Sequence, residues 1–219
     1  MMAHEITRAS SIYPIVFIET AGDFRPVALL GLDVGENLFV DETGRWHASY
    51  VPAIIRRYPF GLAGSGREGE FTVCIDEGSP LINDAEGSAL FDDDGKPTTV
   101  IDNVKRYLGE LQRMDGITNE FCRFLKEHSM LMPLTMRVQR ATEVKNIAGC
   151  HVISEANLNK TSDDTFLELR RRQYLPAIYA HLVSLSQIER LLMLKDERSS
   201  GVRGASPRDI KDEPLVGEA

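Results

Sequence analysis

From Tyr13 onward, short apolar runs alternate with tight polar breaks. Tyr13 to Glu19 is apolar and β-branched and ends in Thr20-Ala21-Gly22-Asp23, the composition of a strand running into a turn. Pro26 to Leu32 reads as its neighbour and Asp33 to Glu36 as a turn. Asn37 to Val40 reads as a third strand, and Asp41-Glu42-Thr43-Gly44 supplies hairpin chemistry, with Gly44 suited to positive φ. Trp46 to Tyr50 returns as the paired strand. Short strands joined by tight turns predict an antiparallel meander rather than a βαβ array.

The pattern then changes period. Pro52 suits a first helical turn and Pro59 stops it, which predicts a helix of about two turns. Gly61 to Gly69 reads as a glycine-rich polar loop, Glu70 to Asp76 as a strand, and Pro80 to Ala89 as irregular. Leu90 to Pro97 repeats the turn chemistry of Phe39 to Arg45. Thr98 or Thr99 is suited to cap a long helix, because Val100, Val104, Tyr107, Leu108, Leu111, Met114, Ile117, Phe121, Phe124 and Leu125 recur at three- and four-residue steps. Pro133 is expected to end it. Met136 to Thr142 and Gly149 to Ser154 read as a hairpin or two strands around the polar Glu143 to Asn146 connection. Ser162 or Asp163 caps a short helix to Arg172, and Pro176 opens another that carries Ile178, Leu182, Leu185, Ile188, Leu191 and Leu192.

These elements predict an α+β fold, an antiparallel β-meander sheet packed against two or three amphipathic helices, with the Val100 and Ile178 helices on one face. One domain is expected over residues 1–195. Residues 196–219 are rich in Gly, Ser, Pro and mixed charge, which predicts a disordered tail.

Composition narrows the function classes. The chain has 219 residues, and a hydrophobic fraction of 42% fills a core without staples. Cys74, Cys122 and Cys150 are three and widely spaced, which fits neither a disulfide framework nor a CxxC site. The net charge of −8 opposes nucleic-acid binding. Arg56-Arg57 and Arg170-Arg171-Arg172 are the two local basic runs, and such runs on helices usually form solvated faces. No apolar run approaches the roughly 18 residues that span a bilayer, and no signal sequence is visible, so the expectation is a cytoplasmic protein.

Catalytic motifs fail one by one. The Gly61–Gly69 stretch has no GxxxxGK[ST], and its formal GxGxxG, Gly64 to Gly69, is followed by a strand rather than by the helix a phosphate site needs. Asp92-Asp93-Asp94-Gly95 invites calcium, but with the glycine at loop position six the first ligand position falls on Leu90. His4, His47, His128, His151 and His181 form no HExxH or HxD pair, and Cys150-His151 are strand neighbours that point to opposite faces. No cofactor and no metal is expected. What remains is a dense block of aromatic and arginine side chains, Trp46, Tyr50, Arg56, Arg57 and Tyr58, the residue types that dominate binding surfaces. The same residues also suit a core anchor with surface ion pairs.

YPIVF, VALLGL, GENLFVDETGRW, YVPAIIRRYPF, FTVCIDE and LFDDDGKPT occur in that order, followed by the Asn103 to Leu125 helix, GCHVISEANL and LPAIYAHLVSLSQIERLL. Together they resemble the SapC family of bacterial proteins from Tyr13 to Met193. The resemblance implies a soluble protein, and the family name a surface-layer association. Members of that family are familiar beside genes for TonB-dependent receptors and tryptophan-halogenase-like enzymes, so the resemblance also implies envelope-linked nutrient uptake or substrate tailoring. It brings no catalytic residues. The expectation is therefore a non-catalytic binding or accessory protein with a protein partner or small ligand. The alternatives are an enzyme or enzyme subunit, with a site assembled from distant residues such as His47, Asp76 and His151, and a surface-layer component.

Overall fold

A computed structural model describes residues 1–66, 69–139 and 144–200. It is an α+β fold whose main sheet is wholly antiparallel. The chain opens with a 3-10 turn (Ala3–Glu5) that runs into α1 (Ile6–Ala9). The hairpin β1 (Ile15–Thr20) and β2 (Asp23–Ala28) follows, then α2 (Ala53–Arg56) and the small hairpin β3 (Phe60–Gly64) and β4 (Phe71–Ile75). The long helix α3 (Thr99–Glu127) leads into β5 (Leu131–Gln139) and β6 (Val144–Ile153). Four helices close the described chain: α4 (Glu155–Asn159), α5 (Asp163–Arg171), α6 (Leu175–Ser184) and α7 (Gln187–Ser200).

The α+β class is as the sequence predicts, but the strand order is β2-β1-β6-β5, two hairpins side by side rather than one continuous meander. The predicted strands at Asn37–Val40 and Trp46–Tyr50 reduce to a single bridge, Val40 with Trp46. Part of the reason lies in the turn between them. The Asp41 carboxylate accepts from the amides of Thr43 (2.8 Å) and Arg45 (3.0 Å), and Gly44 sits at φ 80°, so local bonds take up backbone groups that a ladder would use. The second turn of this type builds the same way. Asp92 accepts from the amides of Asp94 (3.0 Å) and Lys96 (2.8 Å), Gly95 sits at φ 76°, and Phe91 bridges Pro97. Both are self-bonded turns, which accounts for their shared sequence.

Other expectations change in place. Half of the predicted glycine loop is strand β3, in which Gly61 and Gly64 pair with Cys74 and Phe71. Pro133 does not end α3: Thr98 caps its start by accepting from the Val100 amide, and Ser129, at φ 53°, turns the chain just past its end. Pro133 lies inside β5, tolerated because β5 is a sheet edge. The predicted hairpin is longer than expected, and residues 140–143 of its connection lie outside the described residues. Ser162 caps α5 as predicted. The stripe from Ile178 to Leu192 divides into α6 and α7. Asp196 to Ser200 continue α7, and Arg198 bonds the carbonyls of Asn37 (2.9 Å) and Val40 (2.6 Å), so these five positions are not tail. Residues 201–219 lie outside the described residues.

Of the three apolar clusters among the described residues, two pack on α3. The larger includes Ile6, Tyr13, Phe17, Phe39, Phe121, Leu125, Leu169 and Ile178, and is covered by the C-terminal half of α3. The smaller, Met2, Ala53, Leu108 and Leu111 with Phe60, Leu62 and Val73 against it, joins α2 and the β3–β4 hairpin to the N-terminal half of α3. Helix α3 thus runs through both, as does the N-terminal segment, with Met2 in the smaller cluster and Ala3 in the larger. Helix α6 sits at one end of the sheet, where Ser184 Oγ accepts from the Ile15 amide (3.1 Å) and His181 Nε2 from the Ile153 amide (3.0 Å). Two polar side chains therefore terminate the central strands β1 and β6, whose amides would otherwise be buried without acceptors.

Candidate functional site

Helix α2 is held from beneath by a buried carboxylate. Glu5 is 2% exposed, and its side chain accepts from the amides of Ala53 (2.8 Å) and Met2 (2.8 Å) and from the Tyr50 hydroxyl. Burial alone would push its carboxyl up. The Tyr50 hydroxyl and the two amides more than offset that and hold it below the ordinary glutamate range. The charge is placed at the amino end of α2, where free amides favour an anion. Tyr50 is pushed up to about 12 by burial and by the adjacent Glu5, so it stays a donor.

The network continues through Tyr13, whose hydroxyl donates to the Tyr50 carbonyl and accepts from the Trp46 indole N–H at 3.0 Å. Tyr13 is fully buried and packs edge-on to Phe39, ring centres 4.7 Å apart. Every donor in the chain Trp46, Tyr13, Tyr50 thus ends on an acceptor, and the terminal acceptor is Glu5 or the backbone. A satisfied buried network of this kind fixes one geometry.

Above it lies an exposed face. Ile54, Ile55 and Tyr58 are 43%, 36% and 49% exposed, and their spacing puts them together on the outer side of α2 and its C-terminal turn. The Arg56 guanidinium lies 5.5 Å from the centre of the Tyr50 ring, and its Nε donates to the Val51 carbonyl (2.9 Å). Arg8, from α1, reaches the same ring at 4.9 Å. Tyr58 donates to Asp76 at 3.0 Å. Of the five residues singled out in sequence, Trp46 is half-buried and Tyr50 buried within the network. Arg57 is half-buried, and Arg56 and Tyr58 are exposed. The block is therefore divided: one part is the support, the other the surface.

Sequence reasoning missed Glu5 and Arg8. The signal was present, since Met2, Ile6, Ala9 and Tyr13 recur at helical steps and leave Glu5 beside the apolar stripe rather than opposite it.

The residues suggested for a distributed catalytic site have separate neighbours. His47 pairs with Asp41 at 2.6 Å, Asp76 caps its own turn at Gly78 (3.1 Å), and His151 packs edge-on to Phe24, ring centres 4.9 Å apart. No hydrogen bond or ion pair joins any two of the three. Among the described residues, no three His, Cys, Asp or Glu side chains are grouped to hold a metal ion. Cys122 and Cys150 are buried, and burial pushes the Cys122 thiol up to about 12, the opposite of a nucleophile's requirement. A depression of about 520 Å³ is lined by residues of α5 and its C-cap Arg172 and is open surface. Another, of about 400 Å³, lies where the α3–β5 turn meets the start of α5 and includes Lys160 and His128. Neither includes a residue of the network. No described helix is long and apolar enough to cross a membrane.

No curated protein and no solved structure matches the chain. A match to the SapC family runs from residue 1 to 191 of the 219, taking in Glu5 and Arg8 as well as the blocks from Tyr13 onward, so the chain belongs to the SapC family.

Proposed function

We propose that this SapC protein is a non-catalytic accessory protein that binds a protein partner of an envelope-linked uptake system through the outer face of α2. The observation that carries the reading is the contrast between the two sides of that short helix. Its inner side is fixed by a buried, fully bonded carboxylate, while its outer side leaves Ile54, Ile55 and Tyr58 in water next to Arg56. Rigid support beneath clustered aromatic, aliphatic and arginine groups is what a binding hot spot requires. Large apolar groups gathered at the surface of a soluble chain commonly mark interaction sites.

The partner class, a TonB-dependent receptor, is the one that the family resemblance implies. The test is affinity capture of the tagged protein from its own host, with wild type and an Ile54→Asp/Tyr58→Ala variant in parallel. Recovery of a TonB-dependent receptor by wild type and its loss with the variant, at unchanged melting temperature, is the expected result. Recovery of a halogenase-like enzyme instead would favour the tailoring role. A receptor captured equally by both proteins would remove α2 from the interface.

A further inference from the structure

Charge on this molecule is not evenly spread. The chain carries 33 acidic and 25 basic residues, yet the two segments that build the α2 face run against that balance. Residues 1–18 contain one acid, Glu5, and it is buried and bound. Residues 43–66 contain none, but include Arg45, Arg56 and Arg57. Arg8 and Arg56, both exposed, lie against one tyrosine ring at 4.9 and 5.5 Å. Neither forms an ion pair with a described carboxylate, although acids are in excess. Stacking on Tyr50 and the Arg56 bond to Val51 restrict these side chains without neutralising them. Asp76 meets the face, and it is engaged by the Tyr58 hydroxyl.

We infer that the face is built to receive a peptide segment of a partner that presents carboxylates beside large apolar side chains. Arg8 and Arg56 take the carboxylates, and Ile54, Ile55 and Tyr58 take the apolar groups. The overall charge of −8 sets polyanions such as nucleic acid and anionic bilayers against the rest of the surface, whereas a short acidic segment meets only the local positive field. This inference rests on the α2 face being the binding surface proposed above and adds the chemistry of what it takes.

The probe is a fluorescent amphipathic peptide with leucines on one helical side and glutamates flanking them, read by anisotropy against the full chain. Controls are the same peptide with lysine for glutamate, one with serine for leucine, a single-stranded oligonucleotide and phosphatidylglycerol vesicles. The glutamate peptide should bind, at least about tenfold more tightly than either peptide control, and weaken as salt is raised. Arg8→Ala and Arg56→Ala should each lower its affinity several-fold and the pair about tenfold, with melting temperatures unchanged. Equal binding of the lysine peptide, an unaffected double variant, or tighter binding of the oligonucleotide or vesicles would each overturn the inference. If receptor capture is lost in the Ile54→Asp/Tyr58→Ala variant but the glutamate peptide does not bind, the face is an interface and only its proposed chemistry fails.

Discussion

Lowering the pH from 7.5 to 5 should destabilise the fold through one imidazole at the end of the sheet. His181 is fully buried, its Nε2 accepts from the Ile153 amide at 3.0 Å, and its ring lies 5.1 Å from that of Phe17. An Nε2 that accepts must be unprotonated, which places the single ring proton on Nδ1. Burial pushes the pKa down from 6.5 to about 4. The unfolded chain therefore binds a proton between these values that the native state refuses. The stability involved is complete above pH 6.5 and is lost as the pH falls towards 4. A gap of this size corresponds to about 3 kcal/mol in full, of which about 2 kcal/mol is gone by pH 5. Many carboxylates titrate in the same range, so the variant His181→Gln supplies the reference: it keeps an acceptor for the Ile153 amide but does not titrate. Guanidinium unfolding at both pH values, wild type against variant, should show wild type losing about 2 kcal/mol more. Parallel loss in the two proteins would mean that His181 is either solvated or protonated in the fold, and the strand-capping role would fall with it.

Glu5→Leu leaves the Tyr50 hydroxyl and the amides of Met2 and Ala53 without their acceptor, and should cost about 2 to 4 kcal/mol in urea unfolding. A cost below about 0.5 kcal/mol would show that water replaces the carboxylate. Leu108→Ala, at a position 1% exposed in the smaller cluster, should cost about 2 to 5 kcal/mol, whereas Leu182→Ala, at a half-buried position, should cost distinctly less; equal melting shifts would contradict the placement of α6. Gln173, at φ 59° just past α5, should become Gly with a gain of about 1 kcal/mol, read as a higher melting temperature. Ending the chain after Ser200 should leave the melt unchanged, while ending it after Lys195 removes Arg198 from the Asn37 and Val40 carbonyls and should lower it by a few degrees.

The sequence carried local structure well where one element decides its own form. The Thr98 and Ser162 caps, the Gly44 and Gly95 turns, and the stripe of α3 follow from side chains within a few residues of one another. It carried pairing poorly, because β1 finds its second neighbour in β6, more than a hundred residues away, and no short-range pattern encodes that choice. The apparent strands on either side of Asp41 failed for a related reason: their apolar residues Leu38 and Phe39 enter the main cluster as loop residues rather than as a ladder. At the candidate site, Arg56 and Tyr58 were visible as surface-type residues. Their support was not, because Glu5 reaches Ala53 and Tyr50 across 48 and 45 positions.

The division of the apolar interior along α3 has a consequence for how the molecule reports on binding. The smaller cluster has only four buried members among the described residues, and its hairpin rests on half-buried Phe60, Leu62 and Val73, so this lobe should open by subglobal fluctuation far more often than the whole chain unfolds. Amides of β3 and β4 should then exchange with deuterated solvent well before those of β1 and β6. A ligand seated on α2 would close that gap, slowing exchange in a hairpin it does not touch. Occupancy of the face could thus be read as a change in breathing rather than in shape, even where the bound and free coordinates coincide.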